Sequence, residues 1–424
     1  MTTSFQLATY RVAARVAARL PLGSAAAASL GGRRDAVARW VAWARRAPRA
    51  GPRVWVHAAS VGEALTAEPV IHRMGAARPE LQVVLTYTSP ALACWPEALP
   101  AAVADYAPPE DRGAATTVVT ALAPDLLVFS RTDLWPELLD AAHRRGVPVA
   151  VLGGTVRPRS LRLAWPARWF LRQLMDPIRF VGAVTAEDAA RWKRLGVPGT
   201  AVSVTGDPRH DQILERSTNV ARVRDLLVWA GADPTLVAGS VEETDERLVL
   251  SAFATVHRDR PRVRLLIVPH ETARSSTERL LRHAAGAGVP AALWRGGAAP
   301  PDLPCLVVEE VGRLADLYLL GTIAYVGGGF RRGGLHAVVE PAAYAVPVVM
   351  GPRSLSADAE RLLAGGGAMA LPARDAASAL AARWREWTDD SPARGRAGLA
   401  ARVALHQGAA RLTANRLLEL LRGV

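Results

Sequence analysis

Between residues 52 and 206 the chain alternates short apolar runs with longer stretches of helical period. RVWVHA (53–58), LQVVLTYT (81–88), VADYAP (103–108), DLLVFS (125–130), VPVAVLGG (147–154), FVGAVT (180–185) and VSVTG (202–206) read as strands with helices between them. Most runs are apolar throughout rather than alternating, the pattern of parallel strands covered on both faces. Segment 207–235 has weaker strand signals and reads as an inter-domain linker. The alternation then restarts with TLVAGS (235–240), VRLLIVP (263–269), AALWR (291–295), CLVVEE (305–310), IAYVGGG (323–329) and VPVVMG (347–352). A terminal helix is expected over about 398–423, packing back on the first domain.

The fold class that follows is α/β: two Rossmann-like doubly wound domains facing a central cleft, the GT-B architecture. The length of 424 residues is too great for one core and suits two domains of about 200 residues. The expected divisions are a basic N-terminal segment at 1–50, an acceptor-binding domain at 51–210 and a nucleotide-sugar-binding domain at 211–424.

Charge adds one feature. The net charge is +13, and residues 1–50 hold nine arginines against one acid, Asp35. Arg11, Arg15 and Arg19 recur every four residues and line one helical face, with Leu7, Val12, Val16 and Leu20 over much of the rest. Two readings stand: a basic amphipathic helix lying on a membrane surface, or a surface helix docked on its own domain. Arginines interrupt the apolar part, so it is a poor signal peptide, and no run of about 20 apolar residues offers a transmembrane helix. Cys94 and Cys305 lie far apart in sequence and form neither a disulfide framework nor a metal-binding spacing.

Ligands of doubly wound sheets bind at the carboxyl ends of strands. The first candidate there is HAASVGE (57–63), where Ser60 and Gly62 turn the chain into a helix and Glu63 sits at its start. A carboxylate at that position is stabilised as an anion by the helix dipole, and Ser60 with Glu63 equally matches a capping box. SRTDLWPE (130–137) places Arg131 and Asp133 at a second strand end. GDPRHD (206–211) offers Arg209 and His210 to a departing phosphate, or forms a turn that begins the linker. AGSVEETDE (238–246) presents Gly239 and Ser240 to a phosphate, and Pro269, His270, Gly312 and Arg313 follow later strands. In YVGGGFRRGGLHAVVEPAAYAVPVVMGP (325–352), glycine clusters run into a helix expected to begin near His336, with Glu340 one turn in. Glycine turns at a helix start cradle anions, and a Glu one turn later can accept from both hydroxyls of a ribose.

Taken in order, WVHAASVGE, TDLWP, GDPRHD, AGS, VPHE and GGGF…GGLH..VEPAAY…PV.MGP span most of residues 52–352. Together they resemble the Kdo (3-deoxy-D-manno-octulosonic acid) transferases of lipopolysaccharide assembly. The resemblance implies an inverting GT-B glycosyltransferase that uses CMP-Kdo as donor and a phosphorylated lipid A precursor as acceptor. It implies work at the cytoplasmic face of the inner membrane, with no nucleic acid partner, no cofactor and no metal. It makes Glu63 the catalytic base and Asp133 and Arg209 the supports of the transition state. Ser60, Gly62 and Arg131 fall on the acceptor side. Gly239, Ser240, Pro269, His270, Gly312, Arg313, His336, Ala337, Val338, Val339 and Glu340 fall on the CMP side. The chain departs from the family pattern where Asp133 and Arg131 replace glutamates, where Ala337 replaces an asparagine, and where the donor segment lacks the arginine of P-R-H. Two other classes stay open: a GT-B enzyme acting on another nucleotide sugar (a UDP-sugar transferase or epimerase), and a non-catalytic glycolipid-binding homologue.

Overall fold

A computed structural model describes residues 24–94, 101–217, 220–310, 312–331, 334–353 and 356–422. The segment bearing Arg11, Arg15 and Arg19 lies outside them. The chain forms two compact units, one of residues up to Gln212 together with those from His406, the other Ile213–Leu405.

The first unit holds a seven-stranded, all-parallel sheet in the order β3-β2-β1-β4-β5-β6-β7. Its strands are β1 (Arg53–His57), β2 (Gln82–Tyr87), β3 (Val103–Tyr106), β4 (Leu126–Ser130), β5 (Val149–Gly154), β6 (Ile178–Ala183) and β7 (Val202–Val204). Each central strand is buried on both faces, which is why its sequence is apolar without alternation. Trp55, Leu127, Phe129, Val149 and Val151 fill one face. The intervening Val54, Val56, Leu126, Val128, Ala150 and Leu152 fill the other, against the helix Val61–Ala77 and Ala410, Ala414 and Leu417.

The second unit repeats the plan, again all parallel, in the order β10-β11-β9-β8-β12-β13-β14. Its strands are β8 (Thr235–Val241), β9 (Arg264–Pro269), β10 (Ala291–Trp294), β11 (Cys305–Val308), β12 (Ile323–Val326), β13 (Val348–Met350) and β14 (Ala368–Ala370). The edge strand β14 has only three residues, AMA, without a β-branched or aromatic residue, so the sequence pattern did not reveal it.

Segment 207–235 spans the division between the units and holds the helix Pro208–Arg216 and the short helix Leu227–Ala230. One expectation is corrected. The single terminal helix is two helices, Ser391–Val403 and Ala409–Arg422. They are separated at Gly408, whose φ of +78° breaks the helical path. The second of them starts on a cap supplied from far away: the Asp211 carboxylate accepts from Gly408 N (2.7 Å) and Ala410 N (2.6 Å).

Candidate active site

The strand order of the first sheet reverses between β1 and β4, the place where doubly wound sheets open a crevice. β1 leads into the helix Val61–Ala77 and β4 into Pro136–Arg144. Glu63 and Asp133 therefore follow the carboxyl ends of neighbouring strands. Ser130 Oγ donates to Glu63 O at 2.8 Å and ties the two strand ends together.

Ser60 is extended at the helix N-cap, and its Oγ accepts from Glu63 N at 3.4 Å. The Glu63 side chain turns back so that Oε2 accepts from Ala59 N at 2.6 Å. Burial is the main force on this carboxyl and, with the negative charge of Asp133, pushes its pKa up to about 7. The Ala59 amide, Arg131 and the Ser60 amide oppose the rise. A carboxylate with that value is half ionised near neutrality, the condition that suits a general base. Gly62 is exposed, and a Cβ there would meet nothing within 4 Å, so packing within the protein does not demand glycine.

Asp133 is held in the opposite state. Burial alone would raise its pKa, but the nearby His57 ring, the hydrogen bond from Trp135 and the charge of Arg162 outweigh burial and keep it below the usual carboxylate range. Trp135 Nε1 donates to Asp133 Oδ2 at 3.0 Å, and His57 Nε2 lies 3.9 Å from the same oxygen. His57 has no exposed surface and sits edge-on to Trp135 at 4.7 Å. Burial depresses its pKa, so the ring is neutral at pH 7. A polar pair holds the far side of the ring. Trp55 Nε1 donates to Thr86 Oγ1 at 2.8 Å, and His57 Nδ1 lies 2.9 Å from the same oxygen.

Arg131 sits in the left-handed region at φ 61°, which an L side chain adopts at a cost. Its Nε donates to Thr66 Oγ1 at 3.1 Å and its Nη2 to Asp207 Oδ2 at 3.0 Å. Arg209 Nη2 lies 3.8 Å from that same Asp207 oxygen. Arg131 and Arg209, from separate motifs, thus converge on one buried carboxylate, and Arg131 also acts on Glu63 through its charge. Arg162 donates to Thr132 O.

In the second unit the strand order reverses between β8 and β12. Here the side chains of Glu242, His270, His336 and Arg331 gather. Glu242 Oε1 takes His336 Nε2 at 2.9 Å and Arg331 Nη1 at 2.5 Å, with His270 Nε2 at 4.0 Å. The two imidazoles stack at 4.2 Å. Glu242, His270 and His336 offer ligand atoms within 4.8 Å of one another, a spacing a metal ion could use, although Arg331 occupies the carboxylate oxygen they share. Pro269 ends β9, and His270 N donates to Val241 O. Asp245 fixes the glycine loop: Oδ2 accepts from Gly328 N at 2.9 Å and Oδ1 from Tyr325 Oη at 3.0 Å.

The helix expected near His336 begins at Val339 and ends at Ala343; His336 and Ala337 precede it and Val338 is its N-cap. His336 N donates instead to Gly327 O at 3.2 Å, which holds that stretch as a loop. Glu340 is in the first turn of the helix, close enough for its charge to act on Arg216 and Tyr318. Gly239 is required by packing: a Cβ there would lie 2.1 Å from Tyr318 Oη. Ser240 follows at φ 49°. Gly312 has φ 79°, and Arg313 is engaged by Asp225 (3.1 Å) and Glu310 (3.2 Å) over the Trp294 ring.

Sequence reasoning passed over His57, Thr86, Asp207, Glu242 and Arg331. A histidine closing an otherwise apolar, wholly buried strand was the available signal for His57. Nothing local marks Thr86 or Asp207, whose partners are 29 and 76 residues away.

Residues 34–212 match the family model of the 3-deoxy-D-manno-octulosonic-acid transferases. A 3-deoxy-D-manno-octulosonic acid transferase of Bordetella pertussis is 31% identical over 391 residues, covering 88% of this chain and 89% of its own. One from Chlamydophila psittaci is 30% identical over 333 residues, covering 76% and 75%. Among solved structures, a putative UDP-N-acetylglucosamine 2-epimerase from Listeria monocytogenes superposes with a TM-score of 0.65 over 88% of this chain and 97% of that one. At 12% identity, that likeness concerns the fold alone.

Proposed function

The chain belongs to the family of 3-deoxy-D-manno-octulosonic acid (Kdo) transferases, which makes it a glycosyltransferase, and we propose that it transfers Kdo from CMP-Kdo to a phosphorylated lipid A precursor with inversion. The observation that carries the reading is Glu63: a half-buried carboxyl at the β1/β4 reversal, raised to about 7.

Glu63 takes the proton from the acceptor hydroxyl as that oxygen attacks the anomeric carbon, and CMP leaves from the opposite face. Asp133, kept ionised by His57 and Trp135, faces the positive charge that develops at the anomeric carbon. Arg209 balances the departing phosphate. Arg131 and the turn Ser60–Gly62 contact the acceptor. On the donor side, His270, His336 and Arg331 supply N–H groups for the CMP phosphate, and Glu340 accepts from the ribose hydroxyls. The preceding segments 239–240, 312–313 and 337–339 supply backbone to the same nucleotide. The reaction takes place at the cytoplasmic face of the inner membrane; no helix among the described residues is long and apolar enough to cross a membrane.

The test is direct. The purified enzyme is incubated with CMP-Kdo and a lipid A precursor, and the lipid is followed by mass spectrometry. A gain of Kdo with release of CMP is expected. No gain with CMP-Kdo, together with transfer from a UDP-sugar, overturns the reading.

A further inference from the structure

The segment between β5 and β6 is not used by the chemistry above. Residues 157–175 hold five arginines and no acid. Within it the helix Ala167–Leu174 turns Phe170, Leu171 and Leu174 toward the core. The outward set, Trp165, Arg168, Trp169 and Arg172, recurs at helical spacing. Leu161 is 82% exposed, Trp165 76% and Trp169 48%. Arg172 packs over Gly196, so that a Cβ there would lie 2.5 Å from its Cγ, and this brings Lys193 and Arg194 alongside. Trp165, Arg168, Trp169, Arg172, Lys193 and Arg194 line an open depression of about 550 Å³. None of these four cations has an ion-pair partner among the described residues.

Two indoles and a leucine left in water cost free energy unless something covers them. Their neighbours decide what fits. A protein interface of ordinary composition would place acids among the cations; here there are none. Indoles sit at the headgroup level of bilayers, and unpaired Arg and Lys beside them attract anionic lipid, at roughly 1 kcal/mol per charge. We propose that the Leu161–Arg172 segment, with Lys193 and Arg194, is a docking surface for an anionic phospholipid bilayer, with Trp165 and Trp169 entering the headgroup layer. Arg162, in the same segment, donates to Thr132 O beside Asp133. The surface therefore adjoins the acceptor side of the proposed site, which gives it meaning for a lipid acceptor; that last step rests on the proposed function, whereas the docking itself does not.

The experiment uses the full chain and vesicles of phosphatidylglycerol and phosphatidylcholine with brominated acyl chains, which quench nearby indoles. Wild-type emission falls on binding. The Trp165→Phe/Trp169→Phe variant binds but loses most of the quenching, although ten other tryptophans remain of the twelve. In unbrominated vesicles, Arg168→Gln/Arg172→Gln binds about 30-fold more weakly at low salt. Equal quenching in the tryptophan variant, unchanged affinity in the arginine variant, or equal binding to pure phosphatidylcholine each overturns the proposal. A surface meant for a protein would give no quenching at all. None of these readouts needs turnover, so failed Kdo transfer with successful quenching removes the proposed function and leaves the docking surface standing.

Discussion

His57 Nε2 lies 3.9 Å from Asp133 Oδ2, and the imidazole that carries it has no exposed surface. The ring's other nitrogen lies 2.9 Å from Thr86 Oγ1, which fixes the imidazole's orientation beside the carboxylate. The same strand-end region pushes two carboxyls in opposite directions: Asp133 down through its polar and charged neighbours, Glu63 up through burial. A pair of acids separated in this way divides base work from charge stabilisation.

The pH profile of kcat/KM should therefore rise through about 7 as Glu63 ionises, since a base must be deprotonated to act. Arg131 favours the ionised form and Asp133 opposes it. Arg131→Gln should shift the acid limb to higher pH and Asp133→Asn to lower pH, whatever each does to the maximal rate. A limb that stays in place in both variants removes Glu63 as its source.

Stability carries the same signature. A carboxyl raised from 4.5 to about 7 favours the folded state when protonated, and this contribution is lost as pH rises through about 7. Glu63→Gln should therefore match wild type in thermal stability near pH 4 and exceed it at pH 8. After discounting for partial exposure, the gain is about 1–2 kcal/mol. A Gln variant less stable than wild type at pH 8 contradicts the buried-carboxylate account.

Much of this was legible in the residues. The all-apolar strands announced buried parallel sheets because parallel strands are covered on both faces. Glu63, Asp133 and Arg209 stood out because each follows a strand end. What stayed hidden depended on distant partners. Asp207 becomes a site residue only when β4 and β7 bring Arg131 and Arg209 to it. The cap on the last helix comes from Asp211, 197 residues away from Gly408, a pairing that no local pattern encodes.

That cap can be measured. Asp211→Ala removes the acceptor for Gly408 N and Ala410 N, and such losses cost about 0.5–2 kcal/mol. Faster amide exchange confined at first to residues 409–413 is expected, and unchanged exchange there contradicts the capping role.

Gly239 tests whether close packing sets that position. Gly239→Ala drives a Cβ to 2.1 Å from Tyr318 Oη, an overpacking that costs about 1–3 kcal/mol. Adding Tyr318→Phe removes the clashing hydroxyl and should restore part of the loss in thermal melting. Because Leu314 Cδ1 (2.7 Å) and Tyr318 Cζ (2.9 Å) also stand in the way, the rescue is partial; a Gly239→Ala variant as stable as wild type contradicts the packing requirement.

The base assignment has the most decisive test, the turnover of Glu63→Gln measured as CMP release with CMP-Kdo and a lipid A precursor, beside CMP affinity by calorimetry. The expected result is a fall in kcat of about 10²–10⁴-fold with CMP affinity unchanged. A variant that keeps turnover close to wild type would show that Glu63 is not the base.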